Sequence, residues 1–137
     1  MIYCPGGGTV HPNHPGTGTK RTNYLRMAGN ETFKHAVIKM SDVCMEALES
    51  NGVTVDDIDL FIPHQANMRI IKSVGKRLGF PEKKVFVNLE RFGNTSAASI
   101  PIALAEAWET GRCGKGDLVL LVAFGAGLTW GSALLRM

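Results

Sequence analysis

Between Asn30 and Asn51 the apolar positions recur at intervals of three and four: Phe33, Ala36, Val37, Met40, Val43, Cys44, Ala47 and Leu48. That period places them on one stripe of an amphipathic helix. Asn30 is expected to cap its start and Asn51-Gly52 to end it. The period then changes. Thr54-Val55-Asp56-Asp57 has the form of a capping box for a single turn. Ile58, Leu60, Phe61 and Ile62 follow, apolar on both faces except for Asp59, as a central parallel strand requires. Pro63 ends that strand. A second helix is predicted from Asn67, its N-cap, to Gly79, with Ile70, Ile71, Val74 and Leu78 inside. Arg69, Lys72 and Lys76 line another face of it, with Arg77 beside them. Val85-Phe86-Val87-Asn88 predicts the next strand, and Leu89 to Gly93 a connection. A third helix starting near Ser96 opens on Ala97, Ala98 and Ser99, tolerates Pro101 early and stops at Gly111. Ile102, Leu104, Ala105 and Trp108 are its expected packing surface. Leu118 to Phe124 is a strongly apolar strand, Gly125-Ala126-Gly127 a tight turn, and Leu128 to Leu135 a last, antiparallel strand. This order predicts an α/β fold: a mostly parallel sheet, a C-terminal antiparallel hairpin, and helices packed on it.

The first 21 residues have no period. They are rich in Gly, Pro and Thr and read as a loop-rich leading segment over 1–21, ahead of a domain over 22–137. A compact domain seldom opens on so long a loop, so the chain is expected to be part of something larger. The Gly-rich run has no Lys-Ser/Thr ending and no strand before it, which argues against a phosphate loop. His11 and His14 flank Pro12 and lack a third ligand, so no metal site is expected.

Composition narrows the picture further. The hydrophobic share is 45% and the charged share 20%, ordinary for a soluble globular protein. No apolar run approaches the roughly 20 residues that span a bilayer, and no signal peptide is visible at Met1-Ile2-Tyr3-Cys4-Pro5. Cys4, Cys44 and Cys113 have no CxxC spacing, which fits a reducing cytoplasm. The net charge is only +3, but Asn67 to Arg91 carries seven basic and two acidic residues. That stretch is either a solvated helix face or a local basic surface for an anionic partner.

Two polar clusters sit at strand-to-helix junctions: Ile62-Pro63-His64-Gln65-Ala66-Asn67 and Phe92-Gly93-Asn94-Thr95-Ser96. Open α/β sheets place reacting groups at the carboxyl ends of strands. His64 and Asn94 are neutral donors and neither is a nucleophile by itself. Together they suit a site where negative charge grows on a carbonyl oxygen. The same residues also fit a helix cap and a turn. No attacker accompanies them: Ser96 and Ser99 lack a GxSxG context, Cys44 lies on the buried stripe, and Cys4 and Cys113 have no adjacent base.

Four spaced segments carry a resemblance: Met27-Ala28-Gly29-Asn30-Glu31-Thr32-Phe33-Lys34, His64-Gln65-Ala66-Asn67-Met68-Arg69-Ile70, Gly93-Asn94-Thr95-Ser96-Ala97-Ala98-Ser99, and Phe124-Gly125-Ala126-Gly127-Leu128-Thr129-Trp130-Gly131. They closely resemble the β-ketoacyl-acyl carrier protein synthase III family, in register from about Tyr24 to Met137. The resemblance implies the C-terminal half of a thiolase-like fold, the acyl-carrying cysteine belonging to an N-terminal half, and inactivity of this part alone. It implies decarboxylative condensation of acyl-CoA with malonyl-acyl carrier protein in cytoplasmic fatty acid synthesis, without a cofactor, nucleic acid or membrane. A homodimer is implied for the full-length protein. His64 and Asn94 match the family's enolate-binding pair. Ala126 matches a turn whose backbone N–H serves a second oxyanion hole, and Phe124 a phenylalanine against the active-site residues. Met27, Gly29, Asn30, Phe33, Ala66 and Asn67 match positions along the pantetheine arm. Lys34, Arg69, Lys72 and Lys76 match a surface for acidic carrier protein. Two alternatives stand beside this: a related acyltransferase of secondary metabolism, and a non-catalytic carrier-protein-binding or dimerisation module.

Overall fold

The computed structural model describes residues 2–9, 12 and 24–137. His11, His14 and most of the leading segment over 1–21 lie outside the described residues. Two short strands that no periodicity signalled, β1 (Ile2–Tyr3) and β2 (Arg26–Met27), pair antiparallel.

Helix α1 (Gly29–Ser50) buries Ala36, Met40, Cys44 and Leu48, the core of the predicted stripe, together with Thr32 and Ser41. The Ser41 hydroxyl is satisfied by donating to the Val37 carbonyl at 2.8 Å. The helix starts two residues earlier than the expected Asn30 cap implies. Ala28 is its N-cap without a side-chain bond, and Asn30 lies within the first turn. The Thr54 box forms: the Asp57 carboxylate accepts from the Thr54 N–H at 2.8 Å and from its hydroxyl at 2.7 Å.

Strands β3 (Leu60–Pro63), β4 (Leu118–Gly125) and β5 (Thr129–Arg136) form the central sheet in that order. β3 and β4 are parallel, with Phe61 opposite Leu120, and β4 and β5 antiparallel, with Val122 opposite Ser132. Alternation along the strands separates two cores. Phe61, Leu118, Leu120 and Val122 face α1 and α2, while Leu60, Ile62 and Val119 face the opposite layer with Phe86, Ala103 and Ala107. The Phe61 ring is fully buried and stacks on Phe80, centroids 4.7 Å apart. Burying a side chain of that size contributes on the order of 2–3 kcal/mol.

Helix α2 (Met68–Leu78) follows the sequence closely. Asn67 Oδ1 accepts from the N–H of Arg69 at 2.9 Å and of Ile70 at 3.4 Å. Gly79 ends the helix at φ 84°, a conformation that favours glycine.

The predicted strand at Val85–Asn88 is not a regular strand. Val85 makes a single parallel bridge to Phe61, and the Phe86 N–H donates to the Phe61 carbonyl at 2.9 Å. Pro63 has no N–H to continue a ladder, and the Gln65 side chain takes over. Its amide donates to the Phe86 carbonyl at 3.2 Å and its oxygen accepts from the Asn88 N–H at 3.0 Å. The sheet is therefore mixed, with one regular parallel pair. The expected connection over Leu89–Gly93 contains a one-turn helix, α3 (Leu89–Phe92).

A single 3-10 turn, Ser96–Ala98, leads into helix α4 (Ser99–Glu109). Its packing face differs in part from the expectation. Ser99, Ala103 and Ala107 are buried, whereas Ala105 is exposed and Trp108 is 50% exposed. Small residues let α4 lie close to the sheet, Leu104 packs partly buried against the same core as expected, and Ala105 and Trp108 turn away. This layer is also narrower than the sheet, for Gly131 and Ala133 of β5 are exposed. With Phe92, Trp108, Leu128 and Trp130 also reaching solvent, the chain is expected to bind an apolar dye and self-associate. Light scattering that gives a monomer without dye binding would contradict this.

Candidate active site

Strand β3 ends at Pro63, and the chain turns so that the next two side chains diverge. Gln65 is buried and fully bonded: its amide also donates to the Pro63 carbonyl at 2.7 Å. His64 is half-buried, and its Nδ1 lies 2.5 Å from Ser99 Oγ at the start of α4. Burial disfavours the imidazolium and holds the His64 pKa below its ordinary value. His64 is thus a neutral ring at neutral pH.

Asn94 stands at the other junction. Gly93, at φ 67°, reverses the chain after α3. Asn94 Oδ1 then accepts from the Ser96 N–H at 2.9 Å. With its oxygen so engaged, the amide N–H groups are what Asn94 offers. Ser96 has a φ of 55°, an arrangement that places strain beside the site. A polar network holds this loop from behind: Asn88 Nδ2 donates to Glu106 at 2.9 Å, and Arg91 pairs with the same carboxylate.

His64 and Asn94 line one cavity of about 560 Å³. All six residues expected along a pantetheine arm, Met27, Gly29, Asn30, Phe33, Ala66 and Asn67, border it, as do Phe124 and Ala126. Among the described residues its only charged lining side chain is Arg69, whose guanidinium lies over the Phe33 ring 5.2 Å from its centroid. The other cations of the proposed docking surface are elsewhere. Lys72 and Lys76 border a separate groove of about 700 Å³ between α2 and residues 79–90, and Lys34 is exposed on α1. His64 also borders a second, smaller cavity with Ala97, Gly125, Trp130 and Gly131. In the β4–β5 turn the positive φ angles fall on Gly127 and Leu128, not on Ala126. Alanine at 126 is therefore unstrained and its N–H remains available as a donor.

No cysteine lines either cavity that His64 borders. Burial pushes the Cys44 thiol up to about 12 and raises that of Cys113, with Asp117 adding to the second. Both are poor nucleophiles, and Cys4 lies exposed at the front of the chain. Among the described residues no group of three His, Cys, Asp or Glu side chains could hold a metal ion, and no helix is long and apolar enough to cross a membrane. Sequence reasoning gave no role to Gln65, Ser99 or Glu106. Gln65 and Ser99 stood inside the quoted motifs, but only the fold shows what they touch.

The chain superposes on solved structures of 3-oxoacyl-[acyl-carrier-protein] synthase III. The Thermus thermophilus enzyme is 50% identical with a TM-score of 0.84, over 100% of this chain and 44% of that one. The Aquifex aeolicus enzyme is 55% identical with a TM-score of 0.82, over 84% and 37%. The priming β-ketosynthase of the R1128 polyketide pathway shares 42% identity and a TM-score of 0.73, over 82% and 34%. The fold is accordingly that of one half of a thiolase-like protein. Residues 48–137 match the family described as 3-oxoacyl-[acyl-carrier-protein (ACP)] synthase III C terminal, and the chain belongs to that family. The β-ketoacyl-[acyl-carrier-protein] synthase III of Nitratidesulfovibrio vulgaris is 56% identical over 131 residues, 96% of this chain and 40% of the relative. The chain spans about two fifths of the length of such relatives.

Proposed function

We propose that this chain supplies the decarboxylation site of a β-ketoacyl-acyl carrier protein synthase III acting in cytoplasmic fatty acid synthesis. The observation that carries the reading is the shared cavity: a neutral His64 and the Asn94 amide border one space that, among the described residues, no acidic side chain lines. In that site the thioester carbonyl of a malonyl-carrier protein accepts from both residues. The bond to the carboxylate breaks, carbon dioxide leaves, and the electron pair passes into an enolate whose oxygen the two donors stabilise. The enolate carbon then attacks an acyl thioester. Its carbonyl oxygen is served by the Ala126 N–H, and the thiolate departs. The acyl group comes from acyl-CoA and is carried by a cysteine outside this chain. No cofactor is proposed, because the enolate and the second oxyanion are each met by hydrogen-bond donors. The full-length enzyme is proposed to be a homodimer.

The test is reconstitution. The chain alone, given acetyl-CoA and malonyl-carrier protein, is expected to form no 3-oxoacyl product. Mixed with the complementary part of a relative, it is expected to form that product. No product from a mixture in which the two parts demonstrably bind would favour a non-catalytic module. A preference for polyketide starters would favour the priming relatives.

Carrier protein is acidic, and the exposed Arg69 lines the cavity beside the Asn67-capped end of α2. Arg69→Glu is expected to weaken carrier-protein binding at low salt by about tenfold or more, the effect fading as salt rises. Unchanged affinity in a low-salt titration would remove Arg69 from the docking surface.

A further inference from the structure

We propose that Ser99 is a positioning residue for His64, its buried hydroxyl donating to Nδ1 and so fixing the ring as the neutral Nε2–H tautomer. This rests on the reading above only in the use made of that N–H, not in the contact itself. Ser99 is the first residue of α4 and 1% exposed. Its oxygen has two neighbours: the Gln65 backbone N–H at 3.3 Å and His64 Nδ1 at 2.5 Å. An N–H can only donate, so Gln65 occupies a lone pair of the oxygen. The hydroxyl hydrogen then needs an acceptor, and among the described residues Nδ1 is the one in reach. A proton on Nδ1 would leave that buried hydrogen without a partner. The proton of the neutral ring therefore sits on the opposite nitrogen.

The same argument excludes the imidazolium, which carries protons on both nitrogens. The Ser99 contact thus acts in the same direction as burial, which already lowers the His64 pKa. Among the described residues, only Arg69 of α2 is charged where it lines the two cavities beside His64, and no carboxylate lines them to favour the charged form. Ser99 also joins the two junctions mechanically. His64 directly follows β3, while Ser99 opens the helix that continues from Asn94 and its Ser96 anchor. One hydrogen bond therefore sets both the protonation pattern of one donor and its place relative to the other.

The tautomer can be measured without turnover. In the nitrogen-15-labelled chain, multiple-bond proton–nitrogen spectra report which ring nitrogen carries the proton, and loss of signals in His64→Gln assigns them. The wild-type ring is expected to be Nε2–H alone from neutral pH downward until it titrates. Ser99→Ala is expected to spread the proton over both nitrogens and to move the titration midpoint up, because a bond favouring the neutral form is gone. Ser99→Thr, which keeps the hydroxyl, is expected to restore the wild-type pattern. A wild-type ring protonated on Nδ1 overturns the proposal, whether or not Ser99→Ala folds. So does a folded Ser99→Ala with unchanged tautomer and midpoint. Failure of the condensation assay would strike the functional reading and leave this result standing.

Discussion

Replacing His64 with alanine is expected to slow condensation by about 10²–10³-fold in the reconstituted enzyme, and Asn94→Ala by a similar factor. The physical reason is the same for both. Each removes one preorganised donor from the place where the enolate oxygen forms, and water in its place must be oriented anew during the reaction. The loss should fall on kcat more than on KM, because the negative charge is absent from the bound ground state. The two effects should not multiply, since one remaining donor still holds part of the charge. Asn94→Asp should be worse than Asn94→Ala, because it places a carboxylate where negative charge develops. Because burial depresses the His64 pKa, the neutral donor should persist to lower pH than an ordinary imidazole would, with the midpoint below that of a free histidine. Measured rates of decarboxylation and of product formation decide the matter. Near wild-type rates in both alanine variants would remove the pair from the chemistry.

Much of the fold is legible in the sequence because long, regular periods leave little choice. The α1 stripe, the Asn67 cap, the Gly79 stop and the β4–β5 hairpin all depend on local spacing, and all form. The misses occur where a distant side chain decides. Val85–Asn88 has a strand's composition, yet its backbone groups are taken by Gln65, 21 residues away for Phe86 and 23 for Asn88. The face of α4 differs from expectation at Ala105 and Trp108, because hydrophobicity alone ranks Trp108 above Ala103. Close approach to the sheet selects the small residues and leaves Trp108 outside. The candidate site follows the same division. Residue types and the family resemblance identify His64 and Asn94, and the cavity brings them together. The contact that orients His64 joins positions 35 residues apart and has no periodic signature.

Gln65→Ala is expected to destabilise the chain by on the order of 3 kcal/mol, the sum of a few buried hydrogen bonds left unmade. Gln65 is 1% exposed and its amide is fully used: two donations, to the carbonyls of Pro63 and Phe86, and one acceptance, from the Asn88 N–H. Truncation strands the Asn88 N–H, since Asn88 is itself buried and alanine offers no acceptor. Gln65→Leu fills most of the space, so its loss isolates the hydrogen-bonding part from the cavity. Gln65→Glu can still accept from Asn88 but cannot donate to either carbonyl when ionised, and it buries a charge. It should therefore be the least stable variant at neutral pH and recover as acid protonates it. Urea unfolding of the four proteins gives the order. If Gln65→Ala unfolds with the wild-type midpoint, the side chain is not what holds residues 85–88 to the end of β3. The site should respond as well. His64 and Gln65 are adjacent, and the Gln65 N–H shares the Ser99 oxygen with the imidazole. Loosening this turn should lower the rate of condensation even under conditions where the variant is fully folded.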